Sequence, residues 1–356
     1  MTASGFNTEA AARLVAQSSA DFAGAMVNAL LYIGDRLAIF DMLSDGVPRT
    51  AARMADDTGL NERYLREWAS TLVAPGYLNY DPGARAYLMT PEQIAVLADR
   101  ESPFYFGGGF LYAQACVRQL PALMDAFRQG GGVSFADFGP EISEAIEKLF
   151  ANGYREAVAK QWIPVVPGLA ERLRMGARVA EVGCGGGYPL ISVARTYPAS
   201  LCMGYDLDPR SLERARTTAK ALGVDDRVTF DLRAAEDLSD DNQFELVMAF
   251  NCIHDMAQPV AALRGIRRAL RSDGAFLWSE ARASDQLEEN VGPMGRALYA
   301  ASVMHCMTVS LAFGGMGLGA VVGEQTVRQL AREAGFASCE PLPVEHPYHR
   351  VYLLTK

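Results

Sequence analysis

Residues 178–187 read Arg-Val-Ala-Glu-Val-Gly-Cys-Gly-Gly-Gly, and Asp206 follows nineteen residues after the last of these glycines. An apolar run that feeds directly into glycines at 183, 185 and 187 predicts a buried strand ending in a tight loop. Glycine suits that loop because it lets backbone N–H and C=O groups come close to a ligand. A carboxylate about 20 residues on, closing the next strand-like run, suits the two hydroxyls of a ribose. The stretch points to a nucleoside cofactor. A dinucleotide fingerprint would need glycine at 188, where the chain has Tyr188 and then Pro189, and a Walker loop would need Gly-Lys-Ser/Thr.

Outward from this loop, the pattern alternates. Pro189 suits the first turn of a helix over 190–197. A strand over 200–205 ends at Asp206, and a helix over 209–222 is stopped by Gly223. Strands follow at 227–232, 244–250 and 275–279, with a helix at 260–270. A helix at 324–334 and two runs close enough to pair, 337–344 and 349–355, complete the chain. Strands separated by helices predict βαβ units and a parallel sheet, here finished by an antiparallel hairpin. Ligands of such sheets lie beyond the carboxyl ends of the strands, where Glu181, Asp206, Asn251 and Glu280 fall.

The motif of an acidic residue followed by G-x-G-x-G, here Glu181, Gly183, Gly185 and Gly187, resembles that of the class I S-adenosylmethionine-dependent methyltransferases, and the resemblance covers about residues 165–356. It implies an α/β fold with a Rossmann-like seven-stranded mixed sheet, helices on both faces, and S-adenosylmethionine as cofactor. It also implies cofactor contacts at Glu181, Gly183, Cys184, Gly185 and Gly187, with Asp206 on the ribose and Leu207 over the adenine. Ala235 would read the adenine through its backbone, with Glu236 or Asp237 as side-chain contact, and Asn251 closes the cofactor set. Arg233-Ala234-Ala235 departs from the family, many members of which place an acidic residue before that turn. Cys184 reads as a small space-filler rather than a nucleophile.

The 356 residues allow two domains, and half of them are hydrophobic. A net charge of −9 argues against a large nucleic-acid footprint. No 18-residue apolar run and no signal-like N-terminus occurs, which predicts a soluble cytoplasmic protein with no membrane partner. The six cysteines are dispersed without zinc spacing, so no disulfide framework and no metal site are expected.

Residues 8–43 show helical apolar spacing (Leu14, Phe22, Met26, Leu30, Ile33, Leu37, Phe40). Helices at 50–56 and 61–73, followed by extended segments 77–80 and 87–90 around Asp81-Pro82-Gly83, predict a helix-turn-helix with a wing. Glu62, Arg63, Arg66 and Glu67 on the second helix sum to zero, whereas DNA-reading helices carry a basic surplus. A winged helix ahead of such a cofactor domain resembles bacterial, mycobacterial-type winged-helix enzymes similar to small-molecule O-methyltransferases. That resemblance implies a homodimer through the N-terminal module. The expected domains are 1–110 (helical and winged-helix, dimerising), 111–165 (a helical linker that helps form the substrate pocket) and 166–356 (cofactor-binding).

After the fourth strand comes Asn251-Cys252-Ile253-His254-Asp255-Met256. Plant-type O-methyltransferases carry a His-Asp pair followed by an aromatic here, and their His is the general base; Met256 departs from that pattern. The resemblance implies His254 as catalytic base and Glu280 as its orienting carboxylate, a role a histidine suits because its pKa lies near working pH. The substrate, a small and largely apolar methyl acceptor, is expected against Phe106, Asp255, Tyr299, Met304 and His305. Two other readings stay open: a cofactor-sensing winged-helix regulator, and an enzyme of this fold with non-methylating chemistry.

Overall fold

The computed structural model describes residues 6–238 and 242–356. The chain divides after Gln114 into two compact units.

In the first unit the helical run expected over 8–43 breaks at Ala38, whose φ of 54° separates the Thr8–Arg36 helix from a short Ile39–Leu43 helix. The break folds Phe40 back over Gly34, where an added Cβ would lie 2.6 Å from the Phe40 and Trp68 rings. Thr50 and Asn61 cap the Ala51–Thr58 and Glu62–Val73 helices by accepting from backbone N–H groups of their first turns, and Gly59, in the left-handed region, ends the first of them. Strands β1 (Asn79–Asp81) and β2 (Ala86–Leu88) pair antiparallel through Tyr80 and Tyr87, forming the wing. Leu43, Met54, Leu72 and Trp68 fill the core between these elements.

The second unit is built on a seven-stranded sheet. Its strands are β3 (Arg178–Val182), β4 (Leu201–Asp206), β5 (Val228–Leu232), β6 (Phe244–Phe250), β7 (Leu270–Ala281), β8 (Ser338–Pro341) and β9 (His349–Thr355). The order across the sheet is β5-β4-β3-β6-β7-β9-β8, parallel from β5 to β7 and antiparallel at β9 and β8. β7 starts five residues earlier than the spacing predicts, because Leu270 pairs with Phe244 across an irregularity before Ala275 opposite Leu246 resumes the register.

Both faces of the sheet are covered. Val179, Leu246, Met248 and Leu277 pack into one core with Leu190 and Trp162, while Ala180, Val247, Ala249 and Phe276 pack into another with Leu263 and Leu330. Alternate residues thus enter opposite cores, and parallel strands buried on both faces read as apolar runs. The helical segment Pro140–Ala157 and its continuation to Trp162 belong to the first of these cores through Tyr154, Val158 and Trp162. The chain steps from β3 to β4 on one side and returns to β6 on the other, so the switch point lies between β3 and β6.

Candidate active site

Gly183, Gly185 and Gly187 all have left-handed backbones, with φ of 64°, 49° and 73°. At Gly183 an added Cβ would lie 2.7 Å from the Cβ of Cys252, and at Gly187 2.7 Å from the Phe230 ring, whereas at Gly185 it would meet nothing within 4 Å. The loop is therefore packed at its two ends and open at its middle. Glu181 is buried and accepts a 3.1 Å hydrogen bond from the Leu190 N–H, supplying the cap that a glycine preceding the Tyr188–Thr196 helix lacks. Burial raises its carboxyl well above the usual carboxylate range. Cys184 is buried in the sheet core, as a space-filler would be.

Asp206, at the end of β4, accepts from the Gly185 N–H at 2.8 Å and the Asp208 N–H at 2.8 Å, one bond to each carboxyl oxygen. Burial raises its pKa, opposed by those backbone bonds. Each oxygen keeps a second lone pair. Leu207 beside it is 68 % exposed, an apolar side chain left uncovered next to the open loop. Ala235 is buried in a 3-10 turn and Glu236 is exposed. Asn251 has a φ of 50°; its amide donates to the Tyr154 hydroxyl at 2.7 Å and stands 3.2 Å from His349 Nδ1, while its buried Oδ1 has no hydrogen-bond partner. Open backbone, an unshielded apolar side chain, a buried carboxylate and an orphaned carbonyl fit a nucleoside bearing an amino-acid tail.

His254, in the 3-10 turn after β6, is 5 % exposed, and its Nδ1 pairs with Glu280 Oε2 at the end of β7. The other oxygen of Glu280 accepts from Trp278 Nε1 at 2.7 Å. His254 Nε2 lies 3.2 Å from Asp255 Oδ1. Burial alone would lower the His254 pKa, but the Glu280 and Asp255 carboxylates outweigh it and hold the imidazole well above its usual value. Cys252 ties this turn to the glycine loop, its Sγ lying 3.3 Å from the Val182 carbonyl oxygen.

The expected substrate residues divide. Asp255 and His305 adjoin His254; His305 is 1 % exposed and meets Phe138 edge-on at 4.9 Å between ring centres. Tyr299 and Met304 are half-buried on the helical insertion of residues 293–312, with the Tyr299 hydroxyl accepting from Asn290 at 3.3 Å. Phe106 lies in the first unit, where its ring packs on Phe110.

Four side chains of this neighbourhood went unread in the sequence. Trp278 had a signal, since two residues along a strand point to the same face as Glu280. Glu147 and Tyr154 reach the glycine loop and Asn251 from the 140–157 helix, and Cys306 reaches His254 from the insertion. No local spacing announces these three.

The sheet order, the glycine loop after β3 and the acceptor-rich strand ends are those of the class I methyltransferase fold. Residues 173–335 match the family described as "Methyltransferase domain", and residues 25–99 match the "Rv2258c-like winged HTH domain". The chain thus carries a methyltransferase domain preceded by a winged helix-turn-helix domain. Among curated relatives, 27-O-demethylrifamycin SV methyltransferase of Amycolatopsis mediterranei is 35 % identical over 103 residues, 29 % of this chain and 38 % of the relative. O-methyltransferase verK of Clonostachys rogersoniana is 24 % identical over 247 residues, 65 % of this chain and 60 % of the relative. The chain matches less than two thirds of the length of these curated relatives. The mitomycin 7-O-methyltransferase MmcR shares the fold with a TM-score of 0.73 at 19 % identity, over 98 % of this chain and 100 % of that one. Human N-acetylserotonin methyltransferase in complex with SAM does so with a TM-score of 0.70 at 18 % identity, over 100 % and 99 %. Among the described residues, no helix is long and apolar enough to cross a membrane.

Proposed function

We propose that the protein is an S-adenosylmethionine-dependent methyltransferase acting on a hydroxyl, or less favourably an amine, of a small and largely apolar molecule. The observation that carries this reading is the His254–Glu280 pair at the ends of β6 and β7, joined through Cys252 to a glycine loop open at Gly185. Asp206, Leu207, Asn251 and the loop backbone would hold the cofactor. S-adenosylmethionine supplies a methyl group on an already positive sulfonium, and a fixed positive charge nearby favours the neutral form of an imidazole.

Rate then comes from alignment, exclusion of water and removal of one proton. Glu280 accepts a hydrogen bond from His254 Nδ1–H and fixes the ring, leaving the Nε2 lone pair to take the acceptor's hydroxyl proton. Tyr299, Met304, His305 and Asp255 wall the acceptor.

The first unit supports a homodimer rather than DNA binding. Arg63 pairs with Glu67 and Arg66 with Glu62, so the second helix of the helix-turn-helix neutralises itself. On the Thr8–Arg36 helix, Leu14, Phe22 and Met26 are 68 %, 68 % and 57 % exposed, a stripe suited to a second copy of this chain. Among the described residues no cysteine is held in a disulfide, which suits a cytoplasmic protein.

The test is turnover: purified protein, S-adenosylmethionine and a panel of phenols, followed by S-adenosylhomocysteine release. His254→Ala is expected to lose about 10²- to 10⁴-fold in rate with cofactor affinity kept. Full turnover in that variant refutes the base role, and no turnover with any hydroxyl or amine acceptor refutes the enzyme reading.

A further inference from the structure

The atom that the base role needs is also one corner of a ligand set. A ring nitrogen of His254, a carboxylate oxygen of Asp255 and Cys306 Sγ all lie within 4.8 Å of one another, and on the His–Asp side the facing pair is Nε2 and Oδ1 at 3.2 Å. The three side chains come from two places in the chain: the turn after β6, and the helical insertion that follows β7. Asp255 Oδ1 is buried, stands 3.2 Å from His254 Nε2, and its carboxylate faces the Cys306 thiol. Cys306 is buried as well, and its thiol is pushed up to about 11, by burial first and then by Asp255.

The chemistry of the set selects the guest. Thiolate, imidazole and carboxylate together suit zinc-like cations, whereas magnesium and calcium take oxygen ligands. With bond lengths of about 2.0–2.3 Å, tetrahedral ligands stand roughly 3.3–3.8 Å apart, so an inward shift of about 1 Å closes the set. The outer shell is already built: Glu280 holds His254 Nδ1, and Trp278 holds the other oxygen of Glu280. A carboxylate on the far nitrogen is the arrangement that orients a metal-binding histidine.

We propose that His254, Asp255 and Cys306 form a binding site for a zinc-like divalent cation with one open position. Binding displaces the protons of the Cys306 thiol and of His254 Nε2. Its occupation takes the Nε2 lone pair, so a bound cation and base-assisted methyl transfer exclude each other; only this consequence rests on the proposed function.

Titration of the full chain with Co²⁺ tests the site by absorbance, without any turnover. The expected result is a thiolate-to-cobalt charge-transfer band that Zn²⁺ displaces, that Cys306→Ser abolishes, and that needs at least tenfold more Co²⁺ in Asp255→Asn. Absence of the band in the wild-type protein, or an equal band in Cys306→Ser, overturns the site. Should Cys306→Ser fail to fold, as read by circular dichroism, the Asp255→Asn titration decides alone, and unchanged affinity there overturns it. Zn²⁺ is expected to inhibit turnover of the wild type, with Cys306→Ser at least tenfold less sensitive. A Cys306-dependent band with no inhibition leaves the site standing and sinks the general-base role of His254.

Discussion

Glu280→Gln separates the charge of the orienting side chain from its shape. In the native pair, one Glu280 oxygen accepts from Trp278 Nε1 and the other faces His254 Nδ1. The indole N–H can only donate, so a glutamine at 280 turns its carbonyl toward Trp278 and its amide toward His254. Nδ1 must then accept, the proton moves to Nε2, and the ring loses the lone pair needed for the acceptor. The expected loss of turnover is about 10²- to 10⁴-fold, roughly 3–5 kcal/mol of barrier, close to removal of the base itself. The pH dependence carries a second signature. His254 is held well above its ordinary value, by Glu280 first among the groups that raise it, so the acid limb of the wild-type pH–rate profile is expected above about 6.5. Loss of the carboxylate removes that support, and the limb moves to lower pH in Glu280→Gln. Initial rates of S-adenosylhomocysteine formation across pH measure both effects. Trp278→Phe added to Glu280→Gln frees the amide to flip, and the double variant is expected to regain rate over the single one. A single variant at wild-type rate, or a double variant slower than the single one, refutes the orientation argument.

Asp206→Ala is expected to weaken S-adenosylmethionine binding by about 1.5–3 kcal/mol, the scale of hydrogen bonds to a charged group, and unchanged affinity in calorimetry would remove Asp206 from the site. Gly187→Ala combines a left-handed backbone with overlap on the Phe230 ring, so denaturant unfolding should show a loss of about 2–5 kcal/mol, whereas a loss under 1 kcal/mol would mean that the loop relaxes freely. The paired change Phe22→Asp and Met26→Asp is expected to convert a dimer in light scattering to a monomer with turnover chemistry at the β6 end intact; a monomeric wild type would overturn the dimer.

Much of the methyltransferase domain was legible because its signals are local. β3, β4 and β6 are buried on both faces and so read as apolar runs; Pro189 and Gly223 mark the start and the end of helices; and a loop with three left-handed backbones calls for Gly183, Gly185 and Gly187. Asp206, Asn251 and Glu280 were legible for a related reason, since a parallel sheet brings the carboxyl ends of its strands to one edge wherever they lie in sequence. The break at Ala38 was not, because the pull of Phe40 onto Gly34 exists only once Trp68 has packed beside it. The surroundings of His254 belong to the same class. Helical periodicity marks which face of the 140–157 segment and of the insertion is apolar, but not that Tyr154 meets Asn251 or that Cys306 meets Asp255. Those contacts join residues about 50 to 100 positions apart, and their partners are chosen by how helices settle on the assembled sheet, a balance of packing over both cores that no short window of sequence contains.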